Sequence, residues 1–225
     1  MKIFIVGSGN LANALFKANL SFPSCEILKW ESKFQSLNEK AIVIHAGSGR
    51  QLKECCEFCI KTKSIFIELS TGLETENMNP DFPLIICPNT SILVLKTLNM
   101  IKTNGKYFKD YEISITESHQ STKKTEPGTA YAFAKALYFP LEKIISIRNP
   151  DIQQNKIGIQ KEYLDKHAYH KIIIKDGNDE IVIETKVLGH NSYANGIKTI
   201  IDKVLKINLE NKKHTVLELI DSNIL

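Results

Sequence analysis

Lys2-Ile3-Phe4-Ile5-Val6-Gly7-Ser8-Gly9-Asn10-Leu11-Ala12 opens the chain. A short apolar run breaks at Gly-Ser-Gly and passes into Leu11, Ala12, Leu15 and Phe16, which recur at helical spacing. That is a strand, a tight turn and a helix carrying the pattern G-x-G-x-x-A. The first glycine permits the turn, the second lets a pyrophosphate approach the backbone, and a small residue at Ala12 lets the helix pack on the strand. The candidate dinucleotide contacts here are Gly7, Ser8, Gly9, Asn10 and Leu11. Glu31 follows the next strand-like run about twenty residues on, where an acid can take ribose hydroxyls. Lys29 and Lys33 flank it and could accept a 2′-phosphate, so the pattern admits NADH or NADPH.

Outward from this motif, residues 26–30, 41–46, 64–69 and 84–87 read as short buried strands, and 51–61 as a helix. Continuous apolar runs separated by helices predict a parallel sheet covered on both faces. The link between the second and third strands is about ten residues, too short for a full crossover helix, so it is expected to be abbreviated. Gly47 follows the third strand, and Ser70-Thr71-Gly72 the fourth. Both places are carboxyl ends of parallel strands, where open sheets of this class bind ligands.

The pattern changes after Pro88-Asn89-Thr90-Ser91. A helix is expected over 92–101, then strands over 111–116, 156–163, 171–175 and 181–187. Asp176-Gly177-Asn178-Asp179 marks an antiparallel hairpin. Asn195-Gly196 leads into a helix over 197–207. The expected fold is therefore α/β: a Rossmann-type dinucleotide-binding domain (1–90 and 196–225) plus a smaller α+β domain (91–195) for substrate binding and oligomerisation.

Composition fits an ordinary soluble globular protein, with 43% hydrophobic and 24% charged residues and a net charge of +4. The lysines are scattered, and no basic stripe with interleaved aromatics points to nucleic acid. No apolar run reaches membrane-spanning length, and the opening run is too short for a signal peptide, so the cytoplasm is the expected compartment. The five cysteines include Cys56-Glu57-Phe58-Cys59, but no second pair or histidines in register complete a metal site. Cys55 and Cys59 are expected to share a helix face as small hydrophobes. His45 is expected in the core, and His167, His190 and His214 at the surface.

Glu117-Ser118-His119-Gln120-Ser121-Thr122-Lys123-Lys124-Thr125-Glu126-Pro127-Gly128-Thr129-Ala130 is the second informative stretch. A cationic loop feeding a helix N-terminus suits a small anion, because free amides and the helix dipole both favour negative charge there. Lys123 supplies a complementary charge.

This loop resembles E-x-H-H-x-x-K-x-D-A-P-S-G-T-A of the dihydrodipicolinate (4-hydroxy-tetrahydrodipicolinate) reductase family. Ser70-Thr71-Gly72-Leu73 resembles its T-T-G-F, Pro88-Asn89-Thr90-Ser91-Ile92 its N-F-S-x-G hinge, His170 its E-H-x-V, and Tyr193-Ala194-Asn195-Gly196 its F-A-x-G-A. The resemblance spans nearly the whole chain in the right order. It implies hydride transfer from NADH or NADPH to a small cyclic dicarboxylate, in lysine and diaminopimelate biosynthesis, by a homotetramer. It implies catalytic roles for His119 and Lys123, and substrate contacts from Gln120, Gly128 and Thr129. Pro88 and Asn89 join the cofactor set. Four departures stand out: Gln120 for the second histidine, a loop one residue shorter, Thr125-Glu126 for D-A, and Gly-Ser-Gly-Arg50 after the third strand. They leave open a different cyclic imine or keto acid as substrate, or a non-catalytic nucleotide-binding paralogue.

Overall fold

The computed structural model describes residues 1–123, 126–189 and 191–225. Lys124 and Thr125 of the motif loop, and His190, lie outside the described residues. The chain divides into two compact units, Met1–Ile92 with Tyr193–Leu225, and Leu93–Ser192. It begins with β1 (Lys2–Val6), α1 (Asn10–Lys17), β2 (Glu26–Lys29), β3 (Ala41–His45), α2 (Leu52–Thr62), β4 (Ile65–Glu68) and β5 (Leu84–Ile86). Next come α3 (Ile92–Asn104), β6 (Glu112–His119), α4 (Gly128–Ala136), β7 (Ile145–Ile147), α5 (Pro150–Asn155), β8 (His167–Asp176) and β9 (Asp179–Leu188). α6 (Asn191–Val204), β10 (Lys213–Thr215) and α7 (Val216–Asp221) close it.

The first unit is built on a parallel sheet in the order β10-β5-β4-β3-β1-β2. Every residue of β3 and β4 is buried, which is why these strands read as apolar runs up to the His45 and Glu68 that end them. The link from β2 to β3 carries only a 3-10 turn, Ser32–Ser36, as its length required. On α2, Cys55, Cys56, Phe58 and Cys59 are buried in one cluster with Phe4, Trp30 and Phe66. Burial pushes the Cys56 thiol up to about 12 and raises those of Cys55 and Cys59, as expected of cysteines used as small hydrophobes.

The carboxyl-terminal segment returns to this unit. β10 adds a parallel edge strand beside β5. α7 starts with a capping box in which the Thr215 hydroxyl accepts the Glu218 amide and the Glu218 carboxylate accepts the Thr215 amide. In α6, a Cβ added at Gly196 would overlap the carbonyl oxygen of Thr90, and the Thr90 hydroxyl donates to the Tyr193 carbonyl at 3.0 Å. α6 begins earlier than the sequence suggested, taking Asn195 and Gly196 into the helix.

The second unit holds a sheet in the order β7-β6-β8-β9. β8 and β9 form the expected hairpin about Gly177, whose φ is +56°. The strand expected over 156–163 does not form. Asn149 accepts the amides of Asp151 and Ile152, Pro150 takes the first helical position, and α5 results. Gly158, with φ +76°, then breaks any extended run. The alternating Ile157 and Ile159 are indeed buried, but from a loop packed on Tyr169 rather than from a ladder. His167, expected at the surface, is 3% exposed.

Candidate active site

In the first unit, every residue expected to meet a dinucleotide lies at a carboxyl end of the parallel strands. Gly7 to Leu11 follow β1, Glu31 follows β2, Gly47 follows β3, Ser70 to Gly72 follow β4, and Pro88 and Asn89 follow β5. β1 lies between β2 and β3, so the strand order reverses there, the place where open sheets leave a ligand crevice. Gly7 has φ +125°, and a Cβ on it would strike the Ala46 carbonyl, so this turn demands glycine. A Cβ on Gly9 would meet nothing within 4 Å, leaving backbone that a pyrophosphate can approach. Gly9 precedes α1 without a side-chain cap, and Ala12 is fully buried. These features fit a bound dinucleotide. Glu31 is exposed and paired with Lys33 at 2.7 Å. Gly47 is constrained from another side: its Cβ would be 2.8 Å from both the Arg50 carbonyl and the His45 ring. Asn89 accepts the Ser91 amide at 2.8 Å, which shapes the chain after β5.

In the second unit, His119 ends β6 and the motif loop leads on to α4. Glu117 and His119 lie two apart on this strand and so face the same side. The Glu117 carboxylate is fully buried, with one oxygen 2.6 Å from His119 Nδ1 and the other 2.6 Å from an Arg148 guanidinium nitrogen. Burial alone would raise its proton affinity. Hydrogen bonds from His119, Arg148 and Ser146 overcome that and hold the carboxyl at about 2. Since Nδ1 faces a carboxylate it carries hydrogen, and Nε2 is left for a ligand. Lys123 is half-buried, with its amide closing a turn onto the Gln120 carbonyl at 3.0 Å. Burial lowers its proton affinity, Glu117 works against that, and Arg148 adds to it. Gly128 opens α4 with its amide donated to the Glu126 carbonyl at 3.0 Å, and Thr129 follows within the first turn.

Behind His119, on the same face of the sheet, His170 pairs across from Glu117. Its ring meets those of His119 and Phe133 edge-on, at 5.8 and 5.6 Å. Burial, then the neighbouring His119, pushes its proton affinity down to about 4. On the opposite face, His167 Nδ1 donates to the Tyr163 carbonyl at 3.0 Å, so its Nε2 accepts from the Ser118 hydroxyl, also at 3.0 Å. The buried Gln153 amide donates to the Ser118 hydroxyl and to the carbonyls of His119 and Ile147. This network fixes the backbone that presents His119.

Sequence reasoning named His119 and Lys123 but missed Glu117, Arg148, Gln153 and the role of His167. One signal was available for Arg148. The chain has only two arginines among 29 basic residues, and arginine is the cation suited to a buried carboxylate. Among the described residues no group of three metal-binding side chains occurs, and no helix is long and apolar enough to cross a membrane.

The architecture has solved counterparts. A dipicolinate-bound dihydrodipicolinate reductase from Paenisporosarcina sp. TG-14 superposes with a TM-score of 0.68 over 100% of this chain and 99% of that one, at 16% identity. A meso-diaminopimelate dehydrogenase variant from Clostridium tetani E88 gives 0.53 over 100% and 96%, at 9% identity. At these identities the likeness is one of fold. In sequence, the chain is 24% identical to the 4-hydroxy-tetrahydrodipicolinate reductase of Rickettsia canadensis, over 84% of this chain and 86% of that protein. It is 30% identical to a probable chloroplastic 4-hydroxy-tetrahydrodipicolinate reductase of Oryza sativa, over 40% of this chain and 30% of that one. The family model for the dihydrodipicolinate reductase carboxyl-terminal region matches residues 94–222, more than half of the chain and the whole β6–α4 site. With the buried Glu117–His119 pair inside that match and the glycine turn before it, the chain belongs to the dihydrodipicolinate reductase family.

Proposed function

We propose that this protein is an oxidoreductase that reduces 4-hydroxy-tetrahydrodipicolinate to tetrahydrodipicolinate, with NADH or NADPH as reductant, in lysine and diaminopimelate biosynthesis. The observation that carries the reading is the Glu117–His119 pair at 2.6 Å, with the half-buried Lys123 in the loop that follows. A ring dicarboxylate needs cations and amides for its carboxylates, and a proton donor where negative charge builds as hydride arrives. Lys123 and the first turn of α4, Gly128 (whose amide would exchange the Glu126 carbonyl for the ligand) and Thr129, answer the first need. His119 answers the second, because Glu117 fixes its tautomer and Nε2 can hold a proton toward the ring. Gln120 contributes a neutral donor and acceptor beside it. The reduced nicotinamide, when bound, supplies the hydride. Gly7 to Leu11 would hold its pyrophosphate and Glu31 the adenosine ribose. Gly47, Ser70 to Gly72, Pro88 and Asn89 line the strand ends where the rest of it would rest. The first unit is thus the dinucleotide-binding domain, and the second the substrate-binding and oligomerisation domain. β9, an edge strand exposing Ile181 and Val182, is the surface we assign to homotetramer assembly. The expected compartment is the cytoplasm.

The test follows oxidation of NADH and of NADPH with substrate generated by the preceding synthase. Turnover that falls about 10- to 100-fold in Glu117→Gln is expected. Folded protein that binds cofactor but turns over no substrate removes the reading. Gln120 and the shortened loop favour a second reading, reduction of another cyclic imine or keto acid, which wins if such a substrate turns over faster.

A further inference from the structure

His45 ends β3 and Glu68 ends β4, and the two are direct neighbours in the parallel register. Both are 0% exposed. His45 Nδ1 is 2.8 Å from a Glu68 carboxyl oxygen, and its Nε2 is 3.0 Å from the Arg50 carbonyl. Both ring nitrogens therefore face acceptors. Glu68 also receives the Ser70 amide at 2.8 Å on the oxygen facing His45, and the Thr75 hydroxyl at 3.4 Å on the other. Both ring nitrogens and both carboxyl oxygens thus have partners, and the pair is linked to the chain on either side.

A buried polar pair adds little stability over apolar side chains of the same size, and β3 and β4 are otherwise Ala, Ile, Val and Phe. What it changes is the shape of two loops. Ser48, Gly49 and Gln51 have φ of +51°, +88° and +59°, left-handed backbone that non-glycine residues adopt only when held. The His45 ring holds this loop through the Arg50 carbonyl, and Gly47 is packed too closely on the ring to carry a side chain. Glu68 holds the other loop through the Ser70 amide, and the Ser48 amide donates to the Ser70 hydroxyl at 3.1 Å, tying the two loops together. Both loops lie at the carboxyl ends of the sheet, beside the Gly7 turn.

We infer that His45 and Glu68 form a positioning latch, which fixes the 46–51 and 69–72 loops in the arrangement that receives the reduced dinucleotide. The inference rests on the nicotinamide reading above. Glu68→Gln keeps size and removes one link whichever way the amide turns. With its oxygen toward His45, the Arg50 carbonyl loses its donor. With its nitrogen there, the Ser70 amide loses its acceptor.

The experiment measures NADH and NADPH binding by nicotinamide fluorescence, and pyridine-2,6-dicarboxylate binding by calorimetry, in wild type and Glu68→Gln. Dinucleotide affinity falls about tenfold, as when the competent loop arrangement drops to a tenth of the population, while dicarboxylate affinity is unchanged. Unchanged dinucleotide affinity, or an equal loss for both ligands, overturns the latch. If Glu68→Gln does not fold, His45→Gln, which can serve Glu68 or Arg50 but not both, decides in the same way. Wild-type protein that binds neither dinucleotide defeats the nicotinamide reading instead. Amide exchange over 46–51 in the unliganded protein then decides the latch: faster exchange in the variant supports it, and equal exchange overturns it.

Discussion

Glu117 and His119 lie two residues apart on β6, and their side chains meet at 2.6 Å on the same face of the sheet as His170. The carboxylate has a second partner in Arg148, which directly follows β7, so its charge is balanced before any ligand arrives. Two groups on this face have proton affinities displaced in the fold, and both displacements act in acid.

His170 is neutral in the fold, with its proton affinity lowered from 6.5 to about 4. The unfolded chain therefore binds more protons over that interval, and stability falls as the pH drops through it. Glu117, lowered from 4.5 to about 2, contributes stability above about 4.5 that is lost as the pH falls toward about 2. Melting temperature measured against pH should decline through both windows. His170→Gln should flatten the upper part of the decline. Glu117→Gln should flatten the lower part and lower the neutral-pH plateau, because Arg148 loses its partner. An unchanged profile in both variants would refute this account.

Lys123→Ala should weaken binding of pyridine-2,6-dicarboxylate about 10- to 100-fold, the range for a desolvated hydrogen bond to a charged group. Nicotinamide affinity should hold, since every residue assigned to the dinucleotide lies in the other unit. Calorimetry with each ligand separately checks both halves.

Gly196→Ala should destabilise the protein by about 3 kcal/mol or more, because the new methyl group overlaps the Thr90 carbonyl oxygen in a well-packed helix. Helix propensity would favour alanine by about 1 kcal/mol, so a stabilised variant in urea denaturation would contradict the packing described. Steric overlap here outweighs propensity.

Native-state alkylation at mildly alkaline pH should modify Cys25 alone. Cys25 is partly exposed, whereas Cys55, Cys56, Cys59 and Cys87 are buried. Burial raises all four thiols, with Cys56 and Cys87 at about 12. Peptide mapping by mass spectrometry should show adducts at the other four only after unfolding.

Much of this was legible in the sequence because the signals were local. Gly7 to Ala12 spell out a turn and a helix start within six residues, and Asp176-Gly177-Asn178-Asp179 marks the turn of the β8–β9 hairpin. The runs of β3 and β4 are apolar up to the His45 and Glu68 that end them, and short apolar runs bounded by turn signals suit a sheet covered on both faces. What escaped was either short or distant. β7 is three residues long, too few for periodicity to show. Ile157 and Ile159 alternate as a strand would, yet the Asn149 cap and Gly158 decide otherwise. Arg148 reaches Glu117 only because β7 lies parallel to β6, a pairing that no window of sequence contains. His45 and Glu68 stand 23 residues apart and look unremarkable until their strands are set side by side.

The parallel pairing of β10 with β5 has a consequence for synthesis. Residues 84–86 leave the ribosome well before residues 213–215 exist, and everything belonging to the second unit is made in the interval. The β7-β6-β8-β9 sheet can therefore close while the chain is still growing, whereas the nucleotide-type sheet waits with one edge unpaired until residues 213–215 have been made. Chains truncated before Lys213 should expose that edge and aggregate, and a stalled nascent chain should show protease resistance in the second unit first.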